Sequence, residues 1–228
     1  MISHFTDCGW ARYRRVEDKM AEEQTQTESK GMVFKVFDKY DMSEIVVGDP
    51  GLKAVINLEP KLVVKSAGRN VVKYGQTKVN VIERLMNRLA TAGHRGKKHK
   101  IQKGIATGKY SKNMKIVLEA FDMIEKKTGK NPVAVLVTAI ENSAPRDEVT
   151  MIEYGGARYP QAVDVSPIRR INLALKHICH GASDKAFNKK KTISQSLAEE
   201  IVMASEGNGE SFAVRKKKDA EAQADSAR

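Results

Sequence analysis

The fold class this sequence predicts is mainly α: a helical bundle of about five to six helices carrying a projecting two-stranded β-ribbon. Three observations lead there. Apolar residues recur at helical spacing in successive segments between Thr77 and Gly207. The stretches between those segments are short, so consecutive helices pack as neighbours. Between the third and fourth of them, Val149–Tyr154, then Gly155-Gly156-Ala157, then Arg158–Val165 read as strand, glycine turn and strand. A lone two-stranded ribbon is marginal in water, so this one needs a bundle to lean on.

Residues 1–30 read as a flexible segment, because Ala21–Ser29 is polar and acidic with no apolar period. Met20 is a candidate translation start, which would make 1–19 an extension; the alternative is a basic arm through Arg12, Arg14 and Arg15. Residues 31–75 read as an arm of short elements. Asp49-Pro50-Gly51 opens a turn or short helix with Asp49 as cap, and Leu52, Val55 and Ile56 face inward. Lys61–Tyr74 scatters cations among valines around a break at Ser66-Ala67-Gly68-Arg69.

Residues 76–212 form the bundle, with the ribbon at 147–165. The first helix starts near Thr77, presents Val79, Ile82, Leu85, Met86 and Leu89, and stops at Gly93. Ser111 is the expected cap of the next, whose stripe is Ile116, Val117, Ala120, Phe121 and Ile124, ending at Gly129. Asn131-Pro132 starts a third, with Val133, Leu136, Val137 and Ile140 inside. Ser166-Pro167 starts a fourth through Ile168, Ile171, Leu175 and Ile178, with Gly181 after it; Thr192 starts a fifth through Ile193, Leu197 and Ile201, stopping at Gly207. Residues 213–228 are a charged tail with helical character.

Charge narrows the function. The 228 residues hold 40 Lys+Arg against 28 Asp+Glu, a net of +12. Residues 1–60 hold 8 and 11 of these, so the remainder carries 32 cations against 17 acids, a net of +15. A polyanion is the expected partner, nucleic acid or an acidic membrane surface. No apolar run approaches eighteen residues, so no membrane span is expected, and no signal peptide is evident at the start. Cys8 and Cys179 are the only cysteines, which fits a reducing cytosol.

Three features carry candidate binding chemistry. Gly93–Lys115 contains Arg95, Lys97, Lys98, Lys100 and Lys103 among its cations and no Asp or Glu. Such a run repels itself and stays open until a polyanion neutralises it. Arg169 and Arg170 sit in the first turn of their helix, where the dipole disfavours cations and free amides favour phosphate. Tyr154 and Tyr159 flank the glycine turn beside Arg158, a set suited to stacking on bases and pairing with phosphate; a ribbon folded onto the bundle would bury these rings instead. Pro160 marks its strand as an edge.

Enzyme signatures are weak. Gly104–Tyr110 is one residue short of a phosphate loop and lacks its final Ser/Thr. His177, Cys179 and His180 have no second ligand pair elsewhere, and Arg146-Asp147-Glu148 lacks a matching Glu-x-Lys. Neither catalysis nor a cofactor is expected.

The pieces have a familiar order: Ser66–Arg69, Val81–Leu85, Thr128–Pro132, Ala139–Asn142 with Pro145-Arg146, Gly155-Gly156, Ala162–Arg170 and Leu197–Ile201. Over Asp49–Arg228 this resembles the small-subunit ribosomal protein seven family in its archaeal and eukaryotic branch. The resemblance implies a cytoplasmic ribosomal protein without catalytic activity. It implies binding to the 3′ major domain of small-subunit rRNA and nucleation of the subunit head. The ribbon would then lie near exit-site tRNA and mRNA, and neighbouring proteins of the head and platform would touch the chain; no membrane is involved. In bacterial members the basic Gly-Lys-Lys turn, here Gly96-Lys97-Lys98, runs straight into the next helix, whereas here Gly104–Tyr110 intervene. The expected RNA-binding residues are Lys65, Arg69 and Lys73 in the arm, Arg95, Lys97, Lys98, Lys100 and Lys103 in the loop, Arg146, Tyr154, Arg158 and Tyr159 at the ribbon, and Arg169 and Arg170. The rivals are an RNA-cleaving or RNA-modifying enzyme and a DNA-compacting helix protein. The loop at 94–115 is expected to order only on RNA.

Overall fold

The computed structural model describes residues 35–60, 73–92 and 109–228. Among them are helices α1 (Pro50–Lys53), α2 (Val81–Leu89), α3 (Tyr110–Thr128), α4 (Pro132–Ser143), α5 (Pro167–Ala186), α6 (Ile193–Ser205) and α7 (Phe212–Ser226). Strands β1 (Asp147–Tyr154) and β2 (Ala157–Asp164) pair antiparallel. This is the mainly α bundle with a ribbon that the sequence predicts. The expectations for residues 1–30, for Lys65 and Arg69, and for Arg95, Lys97, Lys98, Lys100 and Lys103 lie outside the described residues.

Local chemistry sets most helix starts. Asp49 accepts from the Gly51 amide at 2.9 Å and Asn131 from the Val133 amide at 3.1 Å, each with proline in the first turn. Thr192 and Gln195 form a reciprocal capping box on α6. Other starts differ from expectation. Asn80 caps α2, accepting from Ile82, while Thr77 lies in a preceding 3-10 turn, Gly75–Lys78. The α3 helix begins at Tyr110, with Lys109 in the cap position and no side-chain cap, so Ser111 is inside it. Ser166 takes the cap position of α5, but its hydroxyl caps no amide.

Gly181 does not end α5. The helix continues to Ala186, and Gly181 marks a close approach instead: a Cβ there would meet Phe212 Cβ at 2.8 Å and Glu200 Oε1 at 2.9 Å. Only a residue without a side chain lets α5, α6 and the start of α7 come this near. By contrast Gly129 does stop α3, in the left-handed region at φ 64°.

The predicted apolar stripes meet in one core. Ile82, Leu85, Met86 and Leu89 of α2, Val117, Phe121 and Ile124 of α3, Leu136 and Ile140 of α4, Ile171, Leu175 and Ile178 of α5, and Leu197 and Ile201 of α6 are all buried there. The α6 helix touches α3, α4 and α5 and so occupies the centre. Leu52, Val55 and Ile56 also join this core, as do Val36, Tyr40 and Met42. Polar ties hold the early segment in place: Glu141 of α4 accepts from the amides of Gly48 at 2.7 Å and Asp49 at 3.3 Å.

The α7 helix, which covers most of the 213–228 tail, is a packed element. It lies against β1 and α5. Glu221 receives the Arg146 amide at 3.1 Å, and Arg228 pairs with Asp147 at 2.6 Å. It therefore braces the base of the ribbon, the support that a two-stranded element requires.

Candidate nucleic-acid interface

The ribbon is a two-residue hairpin. Gly155 and Gly156 have φ of 59° and 83°, both positive, as a type I′ turn demands. Counting outward from the closing pair Tyr154–Ala157, Met151–Pro160 falls at a non-hydrogen-bonded position. Pro160 thus forfeits no ladder bond.

Alternation sorts the side chains. Ile152, Tyr154 and Tyr159 share one face, and Met151, Glu153, Arg158 and Pro160 share the other. Tyr154 is 81% exposed and Tyr159 58%, so neither ring is folded onto the bundle. Arg158, expected beside them, is on the opposite face in an exposed 3.4 Å pair with Glu153. The tip therefore offers an aromatic surface on one side and a lightly held guanidinium on the other.

At the ribbon base the two arginines of α5 diverge. Arg169 binds Glu148 of β1 through two hydrogen bonds, at 2.6 and 2.8 Å, and remains largely exposed. Arg170 turns inward, donating to Asp49 Oδ2 at 2.7 Å and to the Pro145 carbonyl at 3.2 Å. Its side chain is only 11% exposed. Arg170 is thus a strap joining α1, the α4–β1 turn and α5, and Arg169 is the one presented to solvent. Arg146 is exposed beside them.

The Glu148 carboxyl is held below the ordinary carboxylate range, first by the Arg169 hydrogen bonds and further by the charges of Arg169, Lys176 and His177, against an opposing effect of partial burial. A depressed folded-state pKa means that the contact contributes fully above the unfolded value of about 4.3 and is lost as pH falls through the folded value. In an NMR titration Glu148 is expected to protonate at lower pH than an exposed glutamate, and to shift upward toward the ordinary range in Arg169→Ala. An ordinary titration in the unaltered protein would contradict the contact.

A groove of about 940 Å³ opens between α2, the 3-10 turn and the first turns of α5. Among the described residues its lining includes Tyr74, Arg88, Arg169 and Lys176 and no Asp or Glu, although Glu148 is bound to Arg169. The sequence reading missed Arg88 and Lys176. Their signal was helical spacing: Lys176 follows Arg169 by two turns and Arg88 follows Arg84 by one. Lys73 lies over the Tyr74 ring at 5.4 Å. Among the described residues no group of three or more His, Cys, Asp or Glu could hold a metal ion. Cys179 is buried, which pushes its thiol up to about 12 and leaves it inert.

The sequence model described as ribosomal protein S7p/S5e matches residues 57–228, about three quarters of the chain. The chain belongs to the S7p/S5e family. All the described site residues, from Lys73 to Arg170, lie within the family match. Among its relatives, the small ribosomal subunit protein uS7 of Nanoarchaeum equitans is 47% identical over 198 residues, covering 86% of this chain and 100% of that one. That of Archaeoglobus fulgidus is 46% identical over 194 residues, 85% and 94% of the two chains. That of Methanococcus aeolicus is 46% identical over 199 residues, 86% and 100%. The archaeal side of the resemblance read from the sequence is thereby met.

Proposed function

We propose that this protein binds the 3′ major domain of small-subunit rRNA, helps nucleate the subunit head, and holds its ribbon near exit-site tRNA and the mRNA path. Family membership carries the coarser part: the chain is a structural, non-enzymatic constituent of the small ribosomal subunit in the cytoplasm. The observation that supports the finer reading is the pairing of a bare aromatic ribbon face with a basic groove at the ribbon base. Phosphates are neutralised by cations held at fixed separations on rigid helices, and unpaired bases stack on exposed rings. The RNA-facing set comprises Lys73, Arg146, Tyr154, Arg158, Tyr159 and Arg169, together with Lys65, Arg69, Arg95, Lys97, Lys98, Lys100 and Lys103. Arg170 contributes by positioning its neighbour Arg169. Other proteins of the head and platform complete the surroundings.

The test is binding of the purified protein to a transcript of the 3′ major domain across a salt series, with duplex DNA as competitor. If about six to ten phosphates are engaged, affinity falls roughly 10³- to 10⁵-fold between 50 and 200 mM salt. Tyr154→Ala with Tyr159→Ala is expected to weaken binding with little change in that slope. Equal affinity for duplex DNA would reduce the protein to a generic basic binder and sink this reading.

A further inference from the structure

We infer that the groove between α2, the 3-10 turn and the start of α5 seats a single unstacked RNA nucleotide, its base on the Tyr74 ring and its phosphate between Arg88 and Lys176. This deepens the proposed RNA binding and rests on it. Nothing in the fold alone requires the groove's composition. Arg88, Arg169 and Lys176 line it; Glu148 engages Arg169 at its edge, and among the described residues neither Arg88 nor Lys176 is in an ion pair. The Tyr74 ring on its wall is 65% exposed, with Lys73 Nζ 5.4 Å from the ring centroid. Tyr74 also sits at φ 62°, a left-handed backbone uncommon for a bulky residue, and this conformation carries the ring at the head of the 3-10 turn.

Beneath the groove is a second, independent sign. Arg84 is only 6% exposed, and among the described residues no carboxylate pairs with it. It donates to the Val55 carbonyl at 3.2 Å and to Asn172 Oδ1 at 3.3 Å, and both of these residues line the groove. Among the described residues its Nε has no hydrogen-bond partner. A buried guanidinium without a counter-charge is costly and leaves a positive potential in the floor above it. Burial, with the neighbouring Arg88 charge, lowers its pKa to about 10. An anion in the groove supplies the missing counter-charge.

The α5 terminus adds to this. Ser166 leaves the first-turn amides without a side-chain cap, and they open beside Arg169 at the same wall. Phosphate fits the cations and amides; the ring selects a base that has left its stack, which points to a bulge, loop or junction rather than a continuous duplex. The groove volume lies within the roughly 300–1,000 Å³ of small-ligand sites.

The experiment uses the full chain and the 3′ major domain transcript. Tyr74→Ala should weaken binding by roughly 5- to 150-fold, the range that one stacked base contributes, while Tyr74→Phe keeps it. Arg88→Ala and Lys176→Ala should each lower the salt slope by about one. All three substituted positions reach the surface, and unfolding curves matched to the parent confirm an intact fold. Ultraviolet cross-linking should join Tyr74 to a base. If the parent protein binds the transcript but Tyr74→Ala binds equally well and no cross-link forms, the nucleotide seat is wrong and the cations meet backbone only. If the parent does not prefer the transcript over duplex DNA, the RNA reading fails first and takes this inference with it.

Discussion

Glu200→Ala is expected to destabilise the protein by about 3–5 kcal/mol, the cost of leaving a buried charge network without its acceptor. The Glu200 side chain is fully buried in α6. It accepts from Lys185 Nζ at 2.7 Å, from Ser211 Oγ at 2.8 Å and from the Ala213 amide at 3.2 Å. It therefore answers a cation on α5, the N-cap residue of α7 and one of the amides at the start of α7. Removing it leaves the buried Ser211 hydroxyl and Ala213 amide without their acceptor and the part-buried Lys185 ammonium without its counter-charge, and opens a void against Gly181. Glu200→Gln keeps an acceptor but loses the charge pair, so an intermediate loss is expected. Denaturant unfolding measures both. A Glu200→Ala loss under about 1 kcal/mol, near the value of an ordinary hydrogen bond, would show that α7 is held by its apolar contacts alone. At about 2–4 °C per kcal/mol for a chain of this size, the expected loss is also plain in a thermal scan.

Phe121→Ala should cost a similar amount, about 3–5 kcal/mol for a large ring removed from a packed interior. Phe121 is fully buried in α3 and meets Tyr40 edge-on, with ring centroids 5.9 Å apart. Tyr40 in turn donates its hydroxyl to Asp122 at 2.9 Å, beside the 3.3 Å pair of Lys39 with Asp122. The ring is thus the anchor for residues 35–42 as well as a core residue. Its loss is expected to speed amide exchange at Tyr40, whose N–H bonds the Val36 carbonyl, more than within α6. Asp122→Asn, which keeps the ring and an acceptor, should cost little. Uniform acceleration across the bundle in Phe121→Ala would instead mean that the early segment is not separately anchored.

What was legible in the sequence was what a few neighbouring residues decide. Asn131-Pro132 and Thr192 start helices through bonds that close within three residues, and the paired glycines turn the ribbon for the same local reason. The apolar stripes were legible because the helical period alone puts them on one face. Gly181 was misread because the rule that glycine ends a helix is local, whereas its cause here is the approach of Phe212 and Glu200. The two arginines of α5 looked alike in sequence. Their difference comes from partners 21 and 121 residues away, Glu148 and Asp49, which no local rule supplies. Tyr154 and Arg158 were read as one cluster because they are close in the chain; the hairpin register places them on opposite faces. Family resemblance identified the class of partner, and only the fold revealed that Arg88, Lys176 and Tyr74 line one groove.

The strap from Arg170 to Asp49 has a consequence for the order in which a new chain matures. Its partners are separated by 121 residues. At about 5–20 residues per second, synthesis leaves Asp49 waiting roughly 6–24 s for Arg170 to be made. Over that interval Leu52, Val55 and Ile56 have emerged without the α5 surface that will cover them. Residues 49–56 therefore cannot reach their final packing as they leave the tunnel, and this part of the core closes only once the second half of the chain arrives.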